Sequence, residues 1–548
     1  MEELKIVYRE KEYSYPEETT LLDISKDFKD NYEDKIIIGE MNGRLLELNS
    51  KITPNAHIEF YDYMSSYGNR VYENGLIFIL SKVFMDELKS EIEVKYSIDK
   101  GVYIKTSKRI TEEILKNISN EVKNLIKKDV PIQKSLVNRI DAINYYKSVG
   151  NMDKVNILKY SINTNVNLYR LENMYDYFFS PLPISTGCLK EFKLTYIDSH
   201  SLVLGYPNIY SKVKLPVYKH HENLFNEFKN YDNWCEKLGV QNISGLNERV
   251  STGSIDDIVL LSENIQNNNL FTIAKNISSN KNIKLILIAG PSSSGKTTTS
   301  KKLELFLKGF GLNPKSLSVD DYFVDREKTP LLEDGSYDFE SLDAIDTNLF
   351  NKDLKDLLEG KEVITPTYNF ILGKREYINE GLKLEDNDIL IIEGLHALNE
   401  RMTRLIDRKK KFKIYLCPLT VLSLDNHNRV KTTDNRLLRR LVRDNRTRGY
   451  TAEDTLLTWQ RVRIGEEKYV FPFQDEADVV FNTSLIYELG VLKTYAEPLL
   501  FSVPEDSPVY KDAVRLLNLF KNILPIANDN IPKDSIIREF IGDGYFHV

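Results

Sequence analysis

The sequence is poor in cysteine. Its three cysteines, Cys188, Cys235 and Cys417, lie far apart without C-x-x-C spacing, which excludes a disulfide framework and a cysteine zinc cage and predicts a reducing compartment. Long apolar runs are also missing. The longest, such as Leu76–Leu80 and Leu285–Ala289, fall far short of the roughly 20 residues that span a bilayer. The opening MEELKIVYREKEYSY alternates charged and apolar residues and lacks the apolar core of a signal peptide. A soluble, cytoplasmic protein with no membrane partner is expected. Neither sign of charge dominates: 74 Lys and Arg against 81 Asp and Glu give a net charge of -7. That balance argues against chain-wide attraction to nucleic acid or membrane and leaves room for a local basic patch. Internal repeats and long low-complexity tracts are absent.

What is present suffices for a sizeable core. Hydrophobic residues are 41% and charged residues 28% of 548, close to the globular norm. At about 100 to 200 residues per domain, three or four domains are expected. Residues 1–64 read as a small α+β unit, with strands at KIVY, YSY, KIIIGEMNG and HIEFYD and a helix near 20–28. Residues 65–210 mix helical stretches (76–88, 111–128, 139–149) with strand-like pieces such as KEFKLTYI. Residues 211–281 carry helical spacing and read as a helical connector. From 282 to 493 the texture changes: KLILIAG, ILIIEG and FKIYLCPL are short apolar runs separated by helices, the pattern of parallel strands buried on both faces. Residues 494–548 hold an amphipathic helix at 510–523 and a tail. The fold class is α/β.

The strongest chemical signal is GPSSSGKT, Gly290–Thr297, between the apolar strand KLILIA and a helical segment. It fits the phosphate-binding loop G-x-x-x-x-G-K-S/T. Gly290 and Gly295 let backbone N–H groups turn inward around phosphate oxygens, with Ser292, Ser293, Ser294 and Thr298 completing the cradle, and the helix start adds its positive dipole end. Lys296 neutralises terminal phosphates, and Thr297 offers a hydroxyl to Mg2+ accompanying ATP.

A phosphate loop does not by itself separate a kinase from other nucleotide proteins. No N-K-x-D for guanine recognition occurs. In SLSVDDYFVDREKTP a predicted strand ends on Asp320 and Asp321, where α/β sheets place ligands. A carboxylate there could take the proton of an attacking hydroxyl, or could be a cap or turn residue. ILIIEG ends in Glu393, placed to hold Mg2+ through water, with a capping carboxylate as the alternative. RLLRRLVRDNRTR carries six arginines, with Arg436, Arg440 and Arg443 on one helical face and Gly449 ending the segment. It reads as a mobile cationic cover over phosphates, or else as a solvated or RNA-binding face.

Taken in order, GPSSSGKTT, SVDDYF, YDFESLDAID, PTYNF, IIEG and RRLVRDNRTRG resemble the uridine kinase and phosphoribulokinase family of P-loop kinases. The resemblance implies Asp320 as catalytic base, Asp338 on the ribose hydroxyls, Tyr368 lining the nucleoside site and Glu393 in the magnesium network. It implies Arg440, Arg443 and Arg448 as substrate-site and lid contacts. Two departures bear on specificity: Gly373 stands where the family has a base-reading histidine, and Thr458 near an expected glutamine. Tyr450 replaces a lid arginine, for which Arg446 could compensate.

Residues 1–62 resemble the β-grasp TGS domain of threonyl-tRNA synthetases, and 67–208 resemble the editing-type second domain through DKGVYI, NEVKNLIKKDVPIQK and ISTGCLKEFKL. Where those domains carry zinc-binding histidines and a cysteine, this chain has Asn74, Phe78, Phe178 and Leu182, and no histidine occurs between His57 and His200. A binding or structural module without zinc is expected. The whole arrangement resembles bacterial chains described as uridine kinase family proteins and implies a homo-oligomer. The leading expectation is a kinase of a nucleoside hydroxyl using ATP and Mg2+. The alternatives are a kinase of another sugar or sugar phosphate, and a nucleotide-gated factor binding tRNA or ribosomal RNA.

Overall fold

The computed structural model describes residues 3–546 except 211, 212, 333, 334, 370, 371, 379 and 421. The first unit comprises β1 (Glu3–Tyr8), β2 (Lys11–Pro16), α1 (Leu21–Asp27), β3 (Ile36–Met41), β4 (Arg44–Leu46) and β5 (Ala56–Asp62). Its sheet runs β2-β1-β5-β3-β4, with β1 and β5 parallel in the centre. Thr20 and Asp23 form a reciprocal cap that starts α1.

The second unit begins with α2 (Ser66–Leu88), followed by β6 (Ile92–Ile98), β7 (Gly101–Thr106), α3 (Glu112–Lys128), β8 (Ile132–Asn138), α4 (Arg139–Ser148), α5 (Met152–Lys159), β9 (Asn165–Leu171), β10 (Met174–Tyr177), β11 (Lys193–Asp198) and β12 (Ser201–Gly205). Two sheets result, β11-β12-β7-β6 and β10-β9-β8. Helix α2 starts well before the position the apolar spacing predicts, because its first turns are polar. The Ser65 side chain caps it by accepting from Gly68 N–H. Gly75 inside α2 is needed for close approach, since a Cβ there would lie 2.8 Å from both Leu189 and Pro183.

Three helices follow, α6 (Glu222–Lys237), α7 (Ile243–Ser251) and α8 (Ile255–Ser279), then β13 (Leu285–Ala289), α9 (Lys296–Gly309), β14 (Asn313–Ser318), α10 (Thr347–Leu358), β15 (Thr367–Asn369), β16 (Lys374–Glu376), β17 (Asp388–Glu393), β18 (Lys411–Cys417), α11 (Thr432–Arg448), α12 (Ala452–Tyr469), β19 (Val479–Asn482), α13 (Glu488–Phe501), α14 (Tyr510–Phe520) and α15 (Arg538–Ile541). The sheet order is β14-β17-β13-β18-β19, all pairs parallel. The central strands β13, β17 and β18 are almost wholly buried, β13 throughout, while the edge strand β14 is partly exposed. This is a mixed α/β fold with a parallel sheet whose carboxyl ends share one rim.

One hydrophobic core joins α4 and α5 of the second unit, α6 to α8, the parallel sheet and α11 to α15. Helix α8 packs on α9 and α6 on β19, so residues 222–279 are a wall of the parallel-sheet body. Buried charges fasten the second unit to the root of α11. Glu73 pairs with Arg429 at 2.8 Å and Lys431 at 2.6 Å, and Asp434 with Arg70 at 2.8 Å and Arg515 at 2.9 Å. Behind them Asp176, His427 and Ser81 form a hydrogen-bonded chain. Its order is that of a hydrolase triad, but each side chain is at most 3% exposed, leaving no path for a substrate. Lys154, beside Asp176 and Asp425 at 2.9 Å, neutralises this polar knot. Among the described residues no helix is long and apolar enough to cross a membrane.

Candidate active site

The ends of three parallel strands set the site. Register places Ile288 and Ser318 on either side of Glu393, so the loop after β13, the turn after β14 and the last residue of β17 meet at one edge. Gly295 has a φ of +84°, the left-handed conformation that lets the loop enter α9. Gly290 is required for space, since a Cβ there would lie 2.5 Å from the Leu416 carbonyl oxygen. Lys296 donates to the carbonyls of Gly290 (3.0 Å) and Pro291 (3.2 Å). Burial lowers its pKa, while Glu393 and Glu539 oppose that shift.

The fit of this loop to a polyphosphate with its cation rests on unpaired atoms. Ser293 Oγ, Ser294 Oγ, Thr298 Oγ1 and Glu393 Oε2 are buried without a hydrogen-bond partner. Orphaned polar atoms cost free energy unless a ligand completes them. Burial pushes the Glu393 carboxyl up to about 7, against the pull of Lys296 and a hydrogen bond with Thr297. Among the described residues no group of three His, Cys, Asp or Glu side chains forms a ready cation cage. A cation here would be held by Thr297 and Glu393 together with phosphate.

The acidic pair after β14 divides its tasks. Ser318, not Asp320, caps the following turn by accepting from Asp320 N–H at 3.2 Å. The Asp320 carboxylate takes no part in that cap, and desolvation by the surrounding protein raises its pKa while Lys296 lowers it. Asp321 is structural, accepting from Tyr368 N–H at 3.2 Å. Tyr368 is buried, its ring 5.5 Å from Phe323. Asp338 accepts from the Tyr469 hydroxyl at 3.0 Å. Nearby His396 Nε2–H donates to the Glu340 carbonyl, 2.9 Å away, and burial lowers its pKa to about 4, so it is neutral.

The arginine helix is not one uniform basic face. Arg436 and Arg439 are fully buried. Arg436 bonds the Ser292 carbonyl (3.0 Å) and Glu466, and Arg439 bonds Glu488 and the Thr483 carbonyl (2.8 Å). These two fix the loop and are not part of a mobile cover. Arg440, Arg443 and Arg448 instead gather around buried Asp444 at 3.1, 2.7 and 3.6 Å, and Arg440 also reaches Ser292 Oγ at 2.8 Å. Arg446 turns away, donating to the Phe540 and Glu539 carbonyls, so it does not stand in for a lid arginine at Tyr450. Thr458 is exposed and bonds carbonyls of its own helix. Gly373 has a φ of +68°, and the Arg326 side chain fills the space a side chain there would need.

Sequence reasoning missed Asp444, Glu466, Thr483 and Glu539. Glu466 accepts from Ser292 N–H at 2.8 Å and Thr483 donates to the Ser294 carbonyl at 2.6 Å. Glu466, Thr483 and Glu539 lie outside the quoted motifs, and Asp444 stands inside RRLVRDNRTRG among the arginines. Only Glu539, a charge inside the apolar run IIREFI, left a readable sign. In the second unit, Phe78 and Phe178 pack at a tilt with centroids 5.5 Å apart in a core that includes Leu182, and Asn74, one helical turn before Phe78, is half-buried.

Comparison with known proteins agrees with this geometry. Residues 285–486 match the model of the Phosphoribulokinase / Uridine kinase family. Uridine kinase of Borrelia duttonii is 34% identical over 227 residues, 39% of this chain and 95% of that protein. Uridine kinase of Staphylococcus haemolyticus is 30% identical over 201 residues, 36% and 87% respectively. A solved structure of a possible uridine kinase from Bacillus stearothermophilus aligns over 36% of this chain and 89% of that one, at 22% identity and a TM-score of 0.22, which adds no weight. A relative covered almost end to end at this identity, together with the strand-end constellation, means that the chain belongs to the phosphoribulokinase and uridine kinase family through residues 285–486.

Proposed function

We propose that this chain is a nucleoside kinase, transferring the γ-phosphate of ATP to a ribose hydroxyl, the 5′-hydroxyl of uridine or a related nucleoside. The observation that carries the reading is the meeting of Lys296, Asp320 and Glu393 at adjacent strand ends, in a chain that covers 95% of a uridine kinase. The acceptor oxygen attacks the γ-phosphorus, its proton passes to Asp320, and the bond to ADP breaks. The raised pKa of Asp320 makes it a better proton acceptor than an ordinary carboxylate. Lys296 and backbone N–H groups at the start of α9 hold the phosphates in line. Thr297 and Glu393 would hold Mg2+, which when bound offsets phosphate charge.

Asp338 orients the ribose hydroxyls, steadied by Tyr469, and Tyr368 forms a wall of the acceptor site. Arg440, Arg443 and Arg448, pre-gathered by Asp444, supply positive charge to the transferring group. The first two units are read as a β-grasp TGS-like domain and a synthetase-like domain of structural role. Filling of the Gly373 space by Arg326 favours one second reading, an acceptor other than a pyrimidine nucleoside.

The test is ADP release with ATP and Mg2+ against pyrimidine and purine nucleosides, ribose and ribulose 5-phosphate. Turnover with uridine or cytidine is expected. Asp320→Asn should keep ATP binding and lose about 10²- to 10⁴-fold in kcat. Full turnover by that variant would remove Asp320 as the base, and activity on a sugar phosphate alone would favour the second reading.

A further inference from the structure

The segment after Ser535 runs against the phosphate loop. Ile536, Ile537 and Phe540 are buried to 1% exposure or less, so this is part of the core and not a loose strand of chain. Ile536 Cγ2 lies 2.6 Å from where a Cβ on Gly295 would stand. One turn on, the Thr298 N–H donates to Glu539 Oε2 at 3.1 Å. The segment is pinned from its other side by α11: Arg446 donates to the carbonyls of Phe540 (3.1 Å) and Glu539 (2.9 Å). The Arg439 guanidinium lies 4.9 Å from the Phe540 ring centre.

Thr298 belongs to the first turn of α9, whose N–H groups have no partner inside the helix and are the groups a phosphate loop turns to phosphate oxygens. A carboxylate is the side chain such a helix start attracts. A plain capping role leaves one feature unexplained. Glu539 acts electrostatically on Lys296 and Glu393, and Glu393 Oε2 is buried without a partner. Two carboxylates are thus concentrated where a polyanion should enter, an arrangement that opposes its entry unless one of them leaves.

We propose that Glu539 occupies a phosphate position of the cradle and is exchanged for a phosphate oxygen when a nucleotide binds, so that Ile536–Ile541 and the nucleotide compete for the start of α9. This rests on the phosphate-binding reading of residues 290–298. The same exchange loosens the main-chain acceptors of Arg446, tying nucleotide entry to the helix that carries Arg440, Arg443 and Arg448.

The experiment uses the full chain. ATP affinity is measured by titration calorimetry for the wild type, Glu539→Gln and Glu539→Ala, with thermal unfolding as the fold control. Hydrogen exchange of the 536–542 amides in the wild type is followed with and without saturating ATP. Removing one carboxylate charge beside a phosphate should tighten ATP binding about tenfold in Glu539→Gln, and ATP should speed exchange in 536–542. Equal or weaker binding by Glu539→Gln, or unchanged or slower exchange with ATP, overturns the proposal. If neither wild type nor variants bind ATP, the phosphate-binding reading fails with it. If all bind alike, that reading stands and the competition alone is refuted. Should the variants not fold, the wild-type exchange result decides.

Discussion

The rim of the parallel sheet and the packed layer around Phe78 in the second unit are filled in opposite ways. At the rim, Ser293, Ser294, Thr298 and Glu393 keep buried polar atoms without partners. In the second unit, the positions of Phe78, Phe178 and Leu182 are packed with rings and methyl groups. An orphaned polar atom costs on the order of 1 to 3 kcal/mol, a cost that a ligand bound at the rim would offset. Around Phe78 the interior is instead filled by apolar burial, which stabilises by about 1.5 to 3 kcal/mol per large side chain.

The sharpest way to break that contrast is Lys296→Ala. It should lower kcat by at least about 10³-fold in an ADP-release assay while leaving the thermal midpoint nearly unchanged, because the amine bonds only loop carbonyls. Phe78→Ala should do the reverse, costing about 3 to 5 kcal/mol in denaturant unfolding with kcat retained in the folded fraction. Glu73→Gln probes the fastening between the two regions. Stranding Arg429 and Lys431 should cost about 3 kcal/mol, read as a lowered urea midpoint.

The same residue predicts a pH dependence. Burial alone would raise the pKa of Glu73, but Arg429 and Lys431 outweigh it and hold the carboxyl at about 2, below its ordinary 4.5. A depressed carboxylate contributes stability that is complete above the unfolded value and lost as pH falls through the folded one. Stability should therefore decline between about pH 4.5 and 2, less steeply in Glu73→Gln. The smallest effect belongs to Thr458→Ala. That exposed hydroxyl bonds only its own helix, so stability should move by no more than about 0.5 kcal/mol and the acceptor KM should not change.

Much of the fold was legible because buried parallel strands and amphipathic helices leave periodic traces. The runs at 285–289, 388–393 and 411–417 become β13, β17 and β18, and the phosphate loop falls between a strand and a helix, where Gly290 gives the close approach and Gly295 the left-handed turn that the loop needs. The polar first turns of α2 hid its start. Arg436 and Arg439 looked like members of a basic face because sequence spacing shows which residues share a side of a helix, not whether that side faces solvent.

The sequence alone determined the chemistry on offer: a phosphate loop, carboxylates at strand ends and clustered arginines, each fixed by local backbone rules that neighbours a few residues away enforce. Only the tertiary structure decided which of them are free to act. Glu466 and Glu488 lie 30 and 49 residues from Arg436 and Arg439, which they bind, and Glu539 reaches Thr298 across 241. Pairing at such separations depends on how the chain packs, because a charge leaves water only where its counter-charge is already in place.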